Sequence, residues 1–101
     1  MGHERCGAVK AAAGGGARPA SPNLAALVDG ISPALQSLPE HERGGDRGVQ
    51  ANVSYRARQL LAQSEALRKS MEAGRVKVIE AVCDLDSGRV VSLIDTASRR
   101  D

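Results

Sequence analysis

The spacing of apolar residues changes at Gly74, and that change decides the fold class. Upstream, apolar residues recur at intervals of three and four, the period of a helix with one buried face. Downstream, the run Val76, Lys77, Val78, Ile79, Glu80, Ala81, Val82 and Cys83 is rich in branched side chains, which suit a pleated strand. Asp84-Leu85-Asp86-Ser87-Gly88 is a turn cluster, and Arg89-Val90-Val91-Ser92-Leu93-Ile94 completes a second strand, so residues 75–95 read as a β-hairpin. A hairpin alone is marginal in water and needs more sheet or helices behind it. The chain is therefore expected to be a single α/β domain over residues 1–101, helices followed by a C-terminal β-hairpin.

The helical part divides at its glycines and prolines. A short helix is expected within residues 1–13, from Cys6 to Ala13, and Gly14-Gly15-Gly16 opens a linker over residues 14–20. Ser21-Pro22 then starts a helix over residues 21–39, with Ser as cap and Pro preset for the first turn. Its stripe is Leu24, Leu27, Val28, Ile31, Leu35 and Leu38. Gly30 and Ser32-Pro33 predict a kink or restart, and Pro39 an end. Helices over residues 46–73 would bury Val49, Val53, Ala57, Leu60, Leu61, Leu67 and Met71, with Ser64 capping a second segment and Gly74 as left-handed stop. Residues 97–101 read as a frayed tail.

Composition limits what such a chain can do. Hydrophobic residues make up 42%, much of it Ala, and Tyr55 is the only aromatic residue. A core of Leu, Val, Ile and Ala buries less area per residue than one with aromatic anchors, so a partner surface is expected. The formal net charge is +2, with acids and bases interspersed and no basic run interleaved with aromatics, which argues against nucleic acid as a partner. No run approaches the roughly 20 apolar residues of a membrane span. Met1-Gly2 opens like a myristoylation signal, but the sixth residue is Cys rather than Ser or Thr. Two cysteines, Cys6 and Cys83, in unlike surroundings fit a reduced, cytoplasmic chain.

The chemistry concentrates in Gly2-His3-Glu4-Arg5-Cys6-Gly7-Ala8-Val9-Lys10-Ala11-Ala12. Imidazole nitrogen and thiolate sulfur are ligands that zinc prefers, and the His-x-x-Cys spacing lets His3 and Cys6 face one ion. The motif starts straight after Met1, with no strand expected in front of it. His41, in the polar stretch from Glu40 to Gly48, is open as a third ligand or as a solvated loop histidine.

This stretch resembles the second zinc motif of β-class carbonic anhydrases, Gly-His-x-x-Cys-Gly-Ala continuing into a short helix. Ala51-Asn52-Val53, Leu60-Leu61, Ser64, Leu67-Arg68 and Gly74-Arg75-Val76-Lys77-Val78 are similar to that family's C-terminal helix and strand, and Asp84 to Val90 to its closing hairpin. The resemblance implies a lyase, a carbonate dehydratase hydrating CO2 reversibly to bicarbonate. It also implies zinc held by two Cys and one His, which lowers the pKa of bound water toward about 7. His3 and Cys6 are then two of the metal ligands. The family's Cys-x-Asp-x-Arg motif, with the other Cys ligand, is absent, and Cys83-Asp84-Leu85-Asp86 has the wrong spacing to replace it. By resemblance the chain is thus a remnant of the family's parallel-sheet fold with an incomplete zinc site. It is expected to be inactive alone, to form a homo-oligomer or dock on a complementing subunit, or to serve as a non-enzymatic interaction fragment.

Overall fold

A computed structural model describes residues 1–14 and 19–95. Most of the expected linker, residues 15–18, and the expected tail, residues 97–101, lie outside the described residues. In chain order the elements are β1 (Gly2–His3), α1 (Gly7–Ala12), α2 (Pro22–Leu35), a 3-10 turn at Glu40–Glu42, α3 (Asp46–Gln63), α4 (Glu65–Glu72), β2 (Ile79–Cys83) and β3 (Val90–Asp95). The fold is α/β: the four helices accompany a mixed three-stranded sheet of order β1-β2-β3.

Local chemistry explains most of the boundaries. Ser21 accepts the Leu24 N–H on its side chain and Pro22 fills the first helical turn of α2. At the α3–α4 junction the Ser64 hydroxyl accepts the Leu67 N–H at 3.1 Å, which restarts the helix after a single extended residue. Gly74 takes φ 77° after α4, and the Arg75 N–H folds back to the Ser70 carbonyl at 2.9 Å. The restart expected at Ser32-Pro33 does not occur, and α2 runs through Pro33 to end at Leu35 rather than at residue 39. So near a helix end, the ring disturbs only the last turn, and Ser32 donates to the Val28 carbonyl at 3.2 Å beside it.

The hairpin has the further sheet that the sequence calls for. β2 runs antiparallel to β3, but its other edge carries β1 in parallel, with Gly2 opposite Val82 and His3 opposite Cys83. The two residues after Met1 are thus themselves a strand, inside the motif rather than in front of it, and this pairing was not expected. Their partner lies at the other end of the chain, so no local pattern announces them.

The core is small and sits where α1, α2 and α3 meet. Val9, Ile31, Leu35 and Val49 form it, with Cys6 and Val82 packed against its margin. The apolar stripes run past this core. Leu24, Leu27 and Leu60 are each just over half exposed, against the expectation that they are buried. Aliphatic side chains without aromatic neighbours give a small core, and Leu24 and Leu27 of α2 and Leu60 of α3 are left facing water.

Candidate metal centre

The His3-to-Cys6 segment is fixed at both ends. Glycine is what lets β1 lie on α3: a Cβ on Gly2 would sit 2.7 Å from Val53 Cγ2 and 3.1 Å from Val49 Cγ1. That position faces α3, so the next pair along the ladder, His3 and Cys83, projects to the opposite face of the sheet. The Glu4 N–H extends the ladder by one rung, donating to the Cys83 carbonyl at 3.1 Å. Arg5 then turns the chain with φ 54°, and Cys6 (φ −64°, ψ 117°) leads into α1. Val9, 2% exposed, anchors that helix in the core.

His3 and Cys6 are both half-buried, and Cys6 is a free thiol that makes no capping hydrogen bond to α1. The His3 ring nitrogen Nδ1 lies 2.9 Å from the Glu4 carbonyl oxygen. A carbonyl only accepts, so Nδ1 carries the proton and the lone pair of the neutral ring is on Nε2. Metal-ligating histidines are commonly oriented in this way, one ring N–H held by a backbone carbonyl and the other nitrogen left for the ion.

The loop between the two residues is tied to the hairpin. Arg5 Nη2 donates to Asp86 Oδ2 at 3.0 Å. Asp86 belongs to the β2–β3 turn, where Asp84 Oδ1 accepts the Asp86 N–H at 2.9 Å and the Asp84 carbonyl accepts the Gly88 N–H at 2.8 Å. Hydrogen bonding from the Asp86 backbone, then from Ser87, and the nearby Arg5 charge hold the Asp84 carboxyl below the usual carboxylate range, against the opposing effect of burial.

As zinc ligands, His3 and Cys6 fit in kind and fall short in number. Among the described residues no group of three or more His, Cys, Asp or Glu side chains is placed to hold a metal ion. His41 is exposed in the 3-10 turn, and Cys83, although opposite His3 on the ladder, completes no such group. A tetrahedral zinc site needs four donors. Held by His3 and Cys6, an ion would need its other donors from elsewhere, and no step of a zinc-dependent reaction can be written on these side chains alone. A pocket of about 160 Å³ on the α3 side of the sheet is lined by Glu4, Asp84, Val82 and Val91 among others, and by neither His3 nor Cys6.

Three features had no signal in the sequence: the β1–β2 pairing, the Arg5–Asp86 ion pair, and the burial of Glu80. Glu80 is 1% exposed and accepts a hydrogen bond from the Ser54 hydroxyl of α3. A carboxylate alternating with Val78 and Val82 marks an inward face only if a charged residue is allowed there.

Compared with known proteins, residues 1–90 match the model of the family described as carbonic anhydrase. No curated protein matches the chain significantly. No helix among the described residues is long and apolar enough to cross a membrane.

Proposed function

The chain belongs to the β-class carbonic anhydrase family, and from that premise we propose that His3 and Cys6 are two of its zinc ligands. The reaction served is the reversible hydration of CO2 to bicarbonate. Bound zinc supplies a water acidic enough to ionise near neutral pH. The chain's own part is to present His3 Nε2 and the Cys6 thiolate from a short segment pinned between β2 and α1.

The observation that carries this reading is the His3 Nδ1–Glu4 carbonyl hydrogen bond, which leaves Nε2 as the ring's lone-pair nitrogen, in a chain whose family is matched over residues 1–90. Two donors bind zinc weakly compared with a closed set. The 101 residues therefore act with a complementing subunit that supplies the missing donors, and do not hydrate CO2 alone. A reducing compartment such as the cytoplasm keeps Cys6 and Cys83, both free, available as thiols.

The test is protection of the thiol by metal. With Cys83 replaced by Ser, added zinc slows alkylation of Cys6 in the parent chain, and His3→Ala removes that protection. Equal protection with and without His3 rules out the pair as joint ligands.

A further inference from the structure

We propose that the Arg5–Asp86 ion pair is a positioning tether for the ligand turn, setting the separation of His3 and Cys6 from the tip of the β2–β3 hairpin. The inference rests on the reading of those two residues as metal ligands. Its grounds are the turn's backbone and the origin of the tether.

Arg5 has φ 54°, the left-handed region, and is the one non-glycine residue with positive φ among those described. Gly or Asn would adopt this turn at less cost, and such conformations persist where the surroundings over-determine them. Backbone demand alone does not call for Arg here. The guanidinium instead spans to Asp86 at 3.0 Å, across 81 positions of sequence.

The receiving carboxylate is itself held. The Asp84 side chain accepts the Asp86 N–H, the Asp84 N–H donates to the Arg89 carbonyl at 2.8 Å, and the Ser87 hydroxyl accepts the Arg89 N–H at 3.2 Å. Little turn freedom is left to lose when the pair forms. The Glu4 N–H to Cys83 carbonyl bond fixes the residue before Arg5, and the core fixes α1 after it. Arg5 is therefore the one joint between two anchored segments, and its side chain closes it.

Exposure sets the size of the effect. The two side chains are 58% and 75% exposed, so solvent screens their attraction. Pairs of this kind shift an equilibrium about two- to five-fold. Glu4 and Asp84 also lie near the guanidinium, so Asp86→Asn loosens the tether without abolishing all attraction.

The experiment uses the full chain in a Cys83→Ser background, with four forms (the parent, Asp86→Asn, Arg5→Gly, and the charge swap Arg5→Asp with Asp86→Arg) and a fifth, Cys6→Ala, as the control for the ligand reading. Glycine at position 5 keeps the turn while removing the tether, and Asp tolerates left-handed φ. Amide hydrogen exchange at positions 5 and 6, read without metal, is expected to quicken about two- to five-fold in both single variants and to recover in the swap. Cobalt(II) affinity, followed through the thiolate-to-cobalt absorption band, is expected to weaken by the same factor and recover likewise. Exchange rates equal to the parent in both single variants overturn the tether. Faster exchange with unchanged cobalt affinity overturns its positioning role. Cobalt binding that survives Cys6→Ala overturns the ligand reading and the positioning role with it, and the metal-free exchange rates tell that failure apart from failure of the tether.

Discussion

His3 and Cys83 stand opposite each other on the parallel β1–β2 ladder, so the last strand pair of the chain fixes the backbone that carries the first metal-ligand candidate. The pairing places a second thiol near the site without making it a ligand, since no three-donor group forms among the described residues. Replacing Cys83 with Ser is therefore expected to change cobalt(II) affinity by less than about two-fold, whereas loss of a true ligand or its support costs about 10-fold or more. A titration of both forms checks this, and a large loss on Cys83→Ser would make that thiol a ligand.

Gly2 is the contact on which β1 rests. An added Cβ at 2.7 Å from Val53 Cγ2 must displace a β-branched, buried side chain with little rotamer freedom. Overpacking of this kind costs about 1–3 kcal/mol. The reduced freedom of the unfolded chain returns only about 0.4–1 kcal/mol. Gly2→Ala is thus expected to lower the urea midpoint and to speed amide exchange in β2. An unchanged midpoint with unchanged exchange would mean that β1 does not lie on α3.

The Ser54–Glu80 hydrogen bond joins α3 to β2 at the most buried charged side chain among the described residues. Removing one donor from a buried carboxylate costs about 1–3 kcal/mol. Ser54→Ala should lose stability in that range by chemical denaturation. Ser54→Thr, which keeps the hydroxyl, should lose less. Equal stability of the Ala variant and the parent would mean that the Ser54 hydroxyl contributes nothing to holding Glu80 under α3.

Asp84 gives the hairpin a pH dependence of known sign. Its carboxyl is held below the usual range chiefly by the Asp86 backbone N–H, so the ionised form is favoured in the folded chain. A group lowered on folding adds stability above its unfolded value, and that stability is lost as pH falls through the folded value. The contribution is complete at neutral pH and disappears in acid, below the ordinary Asp range. Asp84→Asn keeps a side-chain oxygen for the Asp86 N–H but cannot titrate, so it should flatten the acid limb of a urea-midpoint series. An identical acid limb in both forms would contradict the assignment.

Periodicity and turn chemistry made the helices and the hairpin legible: Ser21-Pro22, Ser64 and Gly74 mark ends that their hydrogen bonds and dihedrals explain. The ligand candidates were legible as a motif, because His, Cys and small residues at fixed spacing are rare by chance. What the sequence concealed was everything non-local. A two-residue strand has no period to detect, and Gly2-His3 becomes one only through Val82 and Cys83. Arg5 stands in the ligand motif and Asp86 in the turn cluster, and neither announces the other. The exposure of Leu24, Leu27 and Leu60 within the apolar stripes shows the same limit, since a stripe records a preference for burial and not the presence of a covering surface.

The most direct measurement is zinc content after exhaustive dialysis, together with the CO2 hydration rate, for the purified 101-residue chain beside its His3→Ala and Cys6→Ala variants. A half set of ligands predicts zinc well below one per chain and no hydration above background in any of the three. One tightly held zinc per chain, with turnover that both substitutions abolish, would contradict it and mean that these residues close the site themselves.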